Sequence, residues 1–244
     1  DINVQYIKTG SILCELTTKA EALKKKNAGS ILSESSSKKK GVFKWRYILV
    51  GLGILMAIGA IIEQAEKKKE IILLDADLAD DANLKKFAQK FPKRFIQNGI
   101  AEQDMVSMAG GLALMGLLPI VNSFASFLTA RANEQIYNNS TENTKIIYMC
   151  LYAGILPAGA GKSHQSLRDI SLLSSIPNMK IYHPYNFLET RKILKYCIGK
   201  ERNNCAIRLS IGPPPEGLLS LPKNYNFNPG KGSIMTSGSD GIIF

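Results

Sequence analysis

Cysteine is sparse in this chain and histidine sparser. The four cysteines, Cys14, Cys150, Cys197 and Cys205, form no C-x-x-C pair, which excludes zinc-ribbon and thioredoxin-type chemistry. Cys150 and Cys205 lie inside apolar, strand-like runs, and the cysteines read as reduced, mostly buried thiols. His164 and His183 are the only histidines; they have no ligand spacing, so a metal site built from this chain alone is not expected. No apolar run reaches bilayer length. The uncharged stretch from Tyr47 to Ile62 has 16 residues, short of the roughly 20 needed to span, and reads as a buried helix rather than a membrane anchor. No signal peptide is visible at the start. The chain opens on Asp1 rather than Met, and Gly232 to Phe244 stops within an apolar run, so the sequence reads as an internal piece of a longer protein.

The formal net charge of +11 raises nucleic acid as a partner, because phosphate neutralisation dominates such binding. The lysines do not line a patterned face. The runs at 24–26 and 38–40 fall in a Ser- and Lys-rich stretch without hydrophobic periodicity. They read as solvated linker, the alternative being a surface for an anionic partner. No nucleic-acid or membrane partner is expected, and a cytoplasmic protein is. With 45% hydrophobic and 21% charged residues, the rest has the composition of a globular domain. Glycines 10, 29 and 41 and the serines at 33–37 make residues 1–45 a loop-rich connector.

Beyond the connector, apolar runs alternate with helical patterns. Strand-like segments are Ile71 to Leu74, Leu118 to Phe124, Lys145 to Leu151, Met179 to His183 and Cys205 to Leu209. Between them, Asp104 to Met115, Ser166 to Leu173 and Asn186 to Cys197 carry helical patterns. Short strands that are apolar on both sides, separated by helices, predict an α/β fold with a mostly parallel sheet covered on both faces. Two nucleotide-binding signals fail on inspection. Gly159 to Ser163 resembles the end of a phosphate-binding loop, but the required first glycine is Leu156. Gly51-Leu52-Gly53 lacks the third glycine of the dinucleotide fingerprint, where Met56 stands.

The informative block is Arg94-Phe95-Ile96-Gln97-Asn98-Gly99-Ile100-Ala101-Glu102-Gln103-Asp104-Met105, leading into an amphipathic helix. By spacing alone, Glu102 and Asp104 are carboxylates in a first helical turn, worth about 0.3–1 kcal/mol each against the helix dipole. The longer segment RFIQNGIAEQDMVSMAGGLALMGLLPIVNSFASFLTARANEQIYNN resembles the pyrimidine-binding domain of the transketolase family, which includes deoxyxylulose-phosphate synthase. The resemblance covers roughly residues 46–222. It begins with LLDADL at 73–78 and continues through Ala153-Gly154-Ile155, Ser163-His164-Gln165-Ser166 to Asp169-Ile170, Ile176-Pro177-Asn178, His183-Pro184 and Glu189-Thr190. Several motifs in order are far more specific than any one.

The resemblance implies the fold and a thiamine diphosphate cofactor. Glu102 is then the catalytic carboxyl that hydrogen-bonds the aminopyrimidine ring, favouring the tautomer that deprotonates the thiazolium carbon. Such a carboxyl holds or shares a proton, and an apolar surround from Met105, Met108 and Leu112 is expected to favour that state. Phe124 and Phe127 match cofactor-flanking aromatics, although isolated aromatics are more often core. Arg131 matches a position that approaches substrate, with a surface ion pair as the alternative. His164 matches a catalytic and substrate-binding histidine near substrate oxygens, where an imidazole can donate to a developing alkoxide. Arg208 is a further substrate-binding candidate.

Two departures put ordinary transketolase substrates in doubt. Ala160 replaces the family's aspartate four residues before the histidine, and Ile211 replaces its phosphate-gripping arginine. The family's pyrophosphate-binding G-D-G motif is absent from the sequence. The resemblance therefore implies that magnesium or calcium is held by a separate pyrophosphate-binding domain or subunit, in a homodimer or heterotetramer, with a ketose or 2-oxoacid as substrate. Residues 223–244 read as the start of the following domain. A β-type 2-oxoacid dehydrogenase subunit and a non-catalytic partner subunit are the alternatives.

Overall fold

In the computed structural model, residues 54, 57–155, 161–184, 186–210, 221 and 225–231 are described. Alternating side-chain direction within each strand builds two cores on opposite faces of one sheet. Six strands, β1 (Ile71–Asp75), β2 (Phe95–Gln97), β3 (Leu118–Phe124), β4 (Ile147–Leu151), β5 (Lys180–Tyr182) and β6 (Cys205–Leu209), run in the order β2-β1-β3-β4-β6-β5. Every pairing is parallel. Ile71, Leu73, Ile120, Ile147, Met149, Cys205 and Ile207 turn to one core. Leu74, Val121, Tyr148, Cys150 and Ala206 turn to the other. Each fully buried aliphatic side chain contributes about 1.5–3 kcal/mol.

Helices close both faces. The first core takes α1 (residues 57–67), α2 (Lys85–Lys90) through Phe87, and α7 (Phe187–Gly199) through Ile193, Leu194, Cys197 and Ile198. The second takes α3 (Glu102–Leu114), α4 (Ala125–Arg131), α5 (Asn133–Thr141) and α6 (Asp169–Ser174). Gly110 of α3 permits this packing: a Cβ there would meet Asn139 Oδ1 of α5 at 2.1 Å. Asn139 donates across the gap to the Val106 carbonyl at 2.9 Å.

The expected α/β architecture is present, and the sheet is wholly rather than mostly parallel. Of Tyr47 to Ile62, residues 54 and 57–62 are described; 57–62 are helical, and Ile54, Ala57, Ile58, Ala60 and Ile61 are buried. Among the described residues, no helix is long and apolar enough to cross a membrane. Cys150, Cys197 and Cys205 are free and buried, as read from sequence; burial pushes the Cys150 thiol up to about 12. The helix expected from Ser166 begins later, at Asp169, because the Ser166 backbone exchanges hydrogen bonds with Gly154. Gly51-Leu52-Gly53, Leu156, Ala160 and Ile211 lie outside the described residues.

Candidate functional site

The strand order reverses between β1 and β3, and such switch points open crevices beyond the carboxyl ends of parallel strands. Polar groups converge there. Asp75, at the end of β1, is fully buried and accepts from Asn122 Nδ2 at 2.7 Å, Gln97 Nε2 at 2.9 Å and the Leu78 amide at 2.8 Å. Gln97 Oε1 in turn accepts the Asp77 and Gly99 amides, at 2.8 and 3.1 Å. This network ties three neighbouring strands to the Gln97–Gly99 loop. Gly99 turns the chain with φ +69°, a region that favours glycine, and three residues later α3 starts at Glu102.

Glu102 therefore enters the crevice at a helix amino terminus, where a carboxylate is favoured. It is only 3% exposed. Ser123 Oγ of β3 donates to Oε1 at 3.2 Å, and Arg131 Nη1 lies 3.0 Å from both carboxylate oxygens. The expected apolar surround is thus only partly there: Met105 is buried and Met108 partly exposed, but the carboxylate itself faces a hydroxyl and a guanidinium.

Beside this group stands a wall of rings. The Arg131 guanidinium lies 3.9 Å from the Phe127 centroid. Phe127 meets the His164 ring at 4.9 Å, and Phe124 meets it at 5.4 Å, both edge to face. Tyr152 stacks on Phe124 at 4.7 Å and 19°. His164 closes a short 3-10 turn, Lys162–His164, and its Nδ1 is 3.0 Å from Ser163 Oγ. Here that turn, rather than the long helix of a phosphate-binding loop, follows Gly161.

Glu102, Phe124, Phe127, Arg131 and His164, distant in sequence, thus come together. Arg208 stands apart from them. Its Nε and Nη2 donate to Asp169 at 2.8 and 3.2 Å, and Nη1 is 3.1 Å from His183 Nδ1. Burial, and then the Arg208 charge, hold His183 below the usual histidine value, which suits a neutral ring accepting from the guanidinium. Arg208, His183 and Ser210 line an open cleft of about 580 Å³ with Ala153, Gly154 and Ile155.

Sequence reasoning missed Ser123, Tyr152 and the Asp75–Gln97–Asn122 network as site residues. The available signal was Asn122-Ser123, two polar residues near the end of a seven-residue strand that is buried throughout. Among the described residues, no cluster of His, Cys, Asp and Glu suits a metal ion. A flat heteroaromatic ring with a nitrogen facing a carboxyl fits what is present, namely a buried carboxylate next to aromatic side chains.

Comparison with known proteins identifies the domain. The family model for the transketolase pyrimidine-binding domain matches residues 56–212. A transketolase C-terminal section of Methanocaldococcus jannaschii is 33% identical over 183 residues, covering 74% of this chain and 57% of that protein. The 1-deoxy-D-xylulose-5-phosphate synthase of Microcystis aeruginosa is 35% identical over 185 residues, 73% of this chain and 28% of that enzyme. Among solved structures, a split-gene transketolase described as an inactive β4 tetramer superposes with a TM-score of 0.63 at 30% identity, over 76% of this chain and 59% of that one. The chain therefore spans between about a quarter and three-fifths of the length of these proteins. By the extent of the family match and the arrangement of its fold, the chain belongs to the transketolase family, through its pyrimidine-binding domain.

Proposed function

We propose that this chain supplies the pyrimidine-binding half of a thiamine-diphosphate-dependent enzyme for ketol or acyl-anion transfer. The observation that carries the reading is the Glu102 carboxylate, 3% exposed at a helix amino terminus and set beside Phe127 and Arg131. When bound, thiamine diphosphate provides a nucleophilic carbon and an electron sink for the carbonyl carbon it attacks. Glu102 holds a proton at the pyrimidine ring nitrogen, and Ser123 keeps its carboxyl aimed. Phe127 and Phe124 orient the ring and exclude water from it. His164, with Nδ1 engaged by Ser163, presents Nε2 to a substrate oxygen.

The half-site needs a complement. The names of the relatives, a transketolase C-terminal section and a split-gene transketolase, support a pyrophosphate-binding domain or subunit that holds the diphosphate through Mg²⁺ or Ca²⁺, within an oligomer. In this proposal residues 46–222 form the pyrimidine-binding domain, 1–45 a connector and 223–244 the beginning of the next domain. Arg131 and Arg208 remain candidates for substrate contact, with a ketose or 2-oxoacid as the donor.

The test is Glu102→Ala in the complete enzyme. Loss of one positioned acid–base group costs about 10²–10⁴ in rate, so turnover should fall at least a hundredfold while the thermal midpoint stays near that of the parent. Near-normal turnover would remove Glu102 from the mechanism.

A further inference from the structure

The proposed reading gives the aminopyrimidine two interactions, with the Glu102 carboxylate and with an aromatic face. Arg131 makes both of them. Its guanidinium is flat, cationic and rich in N–H donors, as an aminopyrimidine protonated at its ring nitrogen is. Nη1 bridges both Glu102 oxygens at 3.0 Å while the same group covers the Phe127 ring at 3.9 Å. Ser123 donates a further bond to Oε1, so the guanidinium and the hydroxyl together occupy most of the carboxylate's roughly four acceptor positions. A ring stacked on Phe127 and bonded to Glu102 needs the space that the guanidinium fills.

The two partners of this contact are unequally held. The Glu102 side chain is 3% exposed, whereas that of Arg131 is 45% exposed and sits on the last residue of α4, with solvent available for its departure. A bare carboxylate at the Glu102 position is costly, so the empty site benefits from a resident cation.

We propose that Arg131 is a placeholder that sets the cofactor affinity of this half-site, pairing Glu102 and covering Phe127 until the pyrimidine ring displaces it. The inference rests on the thiamine diphosphate reading above. Apparent affinity is the intrinsic affinity multiplied by the fraction of sites that are unlatched, and removing the latch raises it.

The experiment uses the complete enzyme with its pyrophosphate-binding section, and thiamine diphosphate with Mg²⁺ as the probe. By calorimetric titration, Arg131→Gln should bind about tenfold tighter than the parent, the scale of one charge-assisted hydrogen bond. Arg131→Lys, which keeps the charge but not the flat fork, should fall between them. In arginine-¹⁵N spectra of the parent, slow guanidinium rotation at Arg131 should be present without cofactor, absent in Glu102→Gln, and lost on loading. Equal or weaker binding by Arg131→Gln, or an Arg131 signal that survives loading, overturns the placeholder and leaves the cofactor reading intact. Failure of both parent and variant to bind thiamine diphosphate overturns the cofactor reading and the placeholder with it. If Arg131→Gln does not fold, the loading spectra of the parent decide.

Discussion

Two arginine–carboxylate pairs stand at the carboxyl end of the same sheet, and they differ in the exposure of the cation. In Arg208–Asp169 the side chains are 9% and 1% exposed, and the guanidinium grips its partner through two nitrogens. In Arg131–Glu102 they are 45% and 3% exposed, and one nitrogen serves both oxygens. A pair desolvated on both sides is a lock, because either partner left alone is a buried, uncompensated charge. A pair desolvated on one side is a latch, because the exposed cation is repaid by water when it leaves. The lock joins α6 to β6; the latch lies over the candidate cofactor site.

The sharpest way to break this comparison is to remove the carboxylate of each pair and compare stability. Asp169→Ala strands Arg208 and should cost about 3–5 kcal/mol in urea unfolding. Glu102→Gln, which leaves only the half-solvated Arg131 without its carboxylate, should cost about 1 kcal/mol or less. Equal losses would mean that cation exposure does not separate lock from latch.

A second substitution moves the latch without touching the lock. Gly110→Ala places a methyl on Asn139 and pushes α3, with Glu102 at its start, away from α5. Overpacking of this kind costs about 1–3 kcal/mol, and thiamine diphosphate affinity should fall with it. A variant of parental stability and affinity would show that α3 does not depend on this close approach.

The smallest expected effect is a pH dependence that belongs to the lock. Burial, then the neighbouring Arg208, depress the folded-state His183 value below the ordinary 6.5. The unfolded chain therefore takes up the proton first. The stability from this group is fully present above pH 6.5 and declines as the pH falls through the folded value. Charged groups facing the ring include Arg208, Asp169 and Glu189. His183→Gln should flatten the curve of urea midpoint against pH just below 6.5; an unchanged slope would assign it to other groups.

The elements with dense apolar runs were legible in the sequence. Leu118 to Phe124 and Cys205 to Leu209 match β3 and β6 end to end: each strand is buried throughout and opens and closes on an apolar residue. Asn186 was read as the first residue of a helix and is the N-cap of α7, its side chain accepting the Glu189 amide. What was missed has physical causes. The strand β2 has only three residues, too few for a period to register. Only Ile136, Asn139 and Ser140 of α5 are buried, so the helix carries almost no apolar stripe; contact with α3, not propensity, accounts for it.

At the site, Glu102, Phe124, Phe127, Arg131 and His164 were each named from motif resemblance. That they meet was beyond one-dimensional reading, because β3, α4 and the 161–164 turn converge only once the sheet is ordered. The sequence by itself determined the alternation of buried strands and helices, and with it the parallel sheet and the family, since periodicity and local motifs are written residue by residue. Only the tertiary structure decided that Glu102 faces Arg131 rather than an apolar wall, and that Arg208 is committed to Asp169 and His183. Pairing between charges tens of residues apart depends on strand order and burial, which no local pattern encodes.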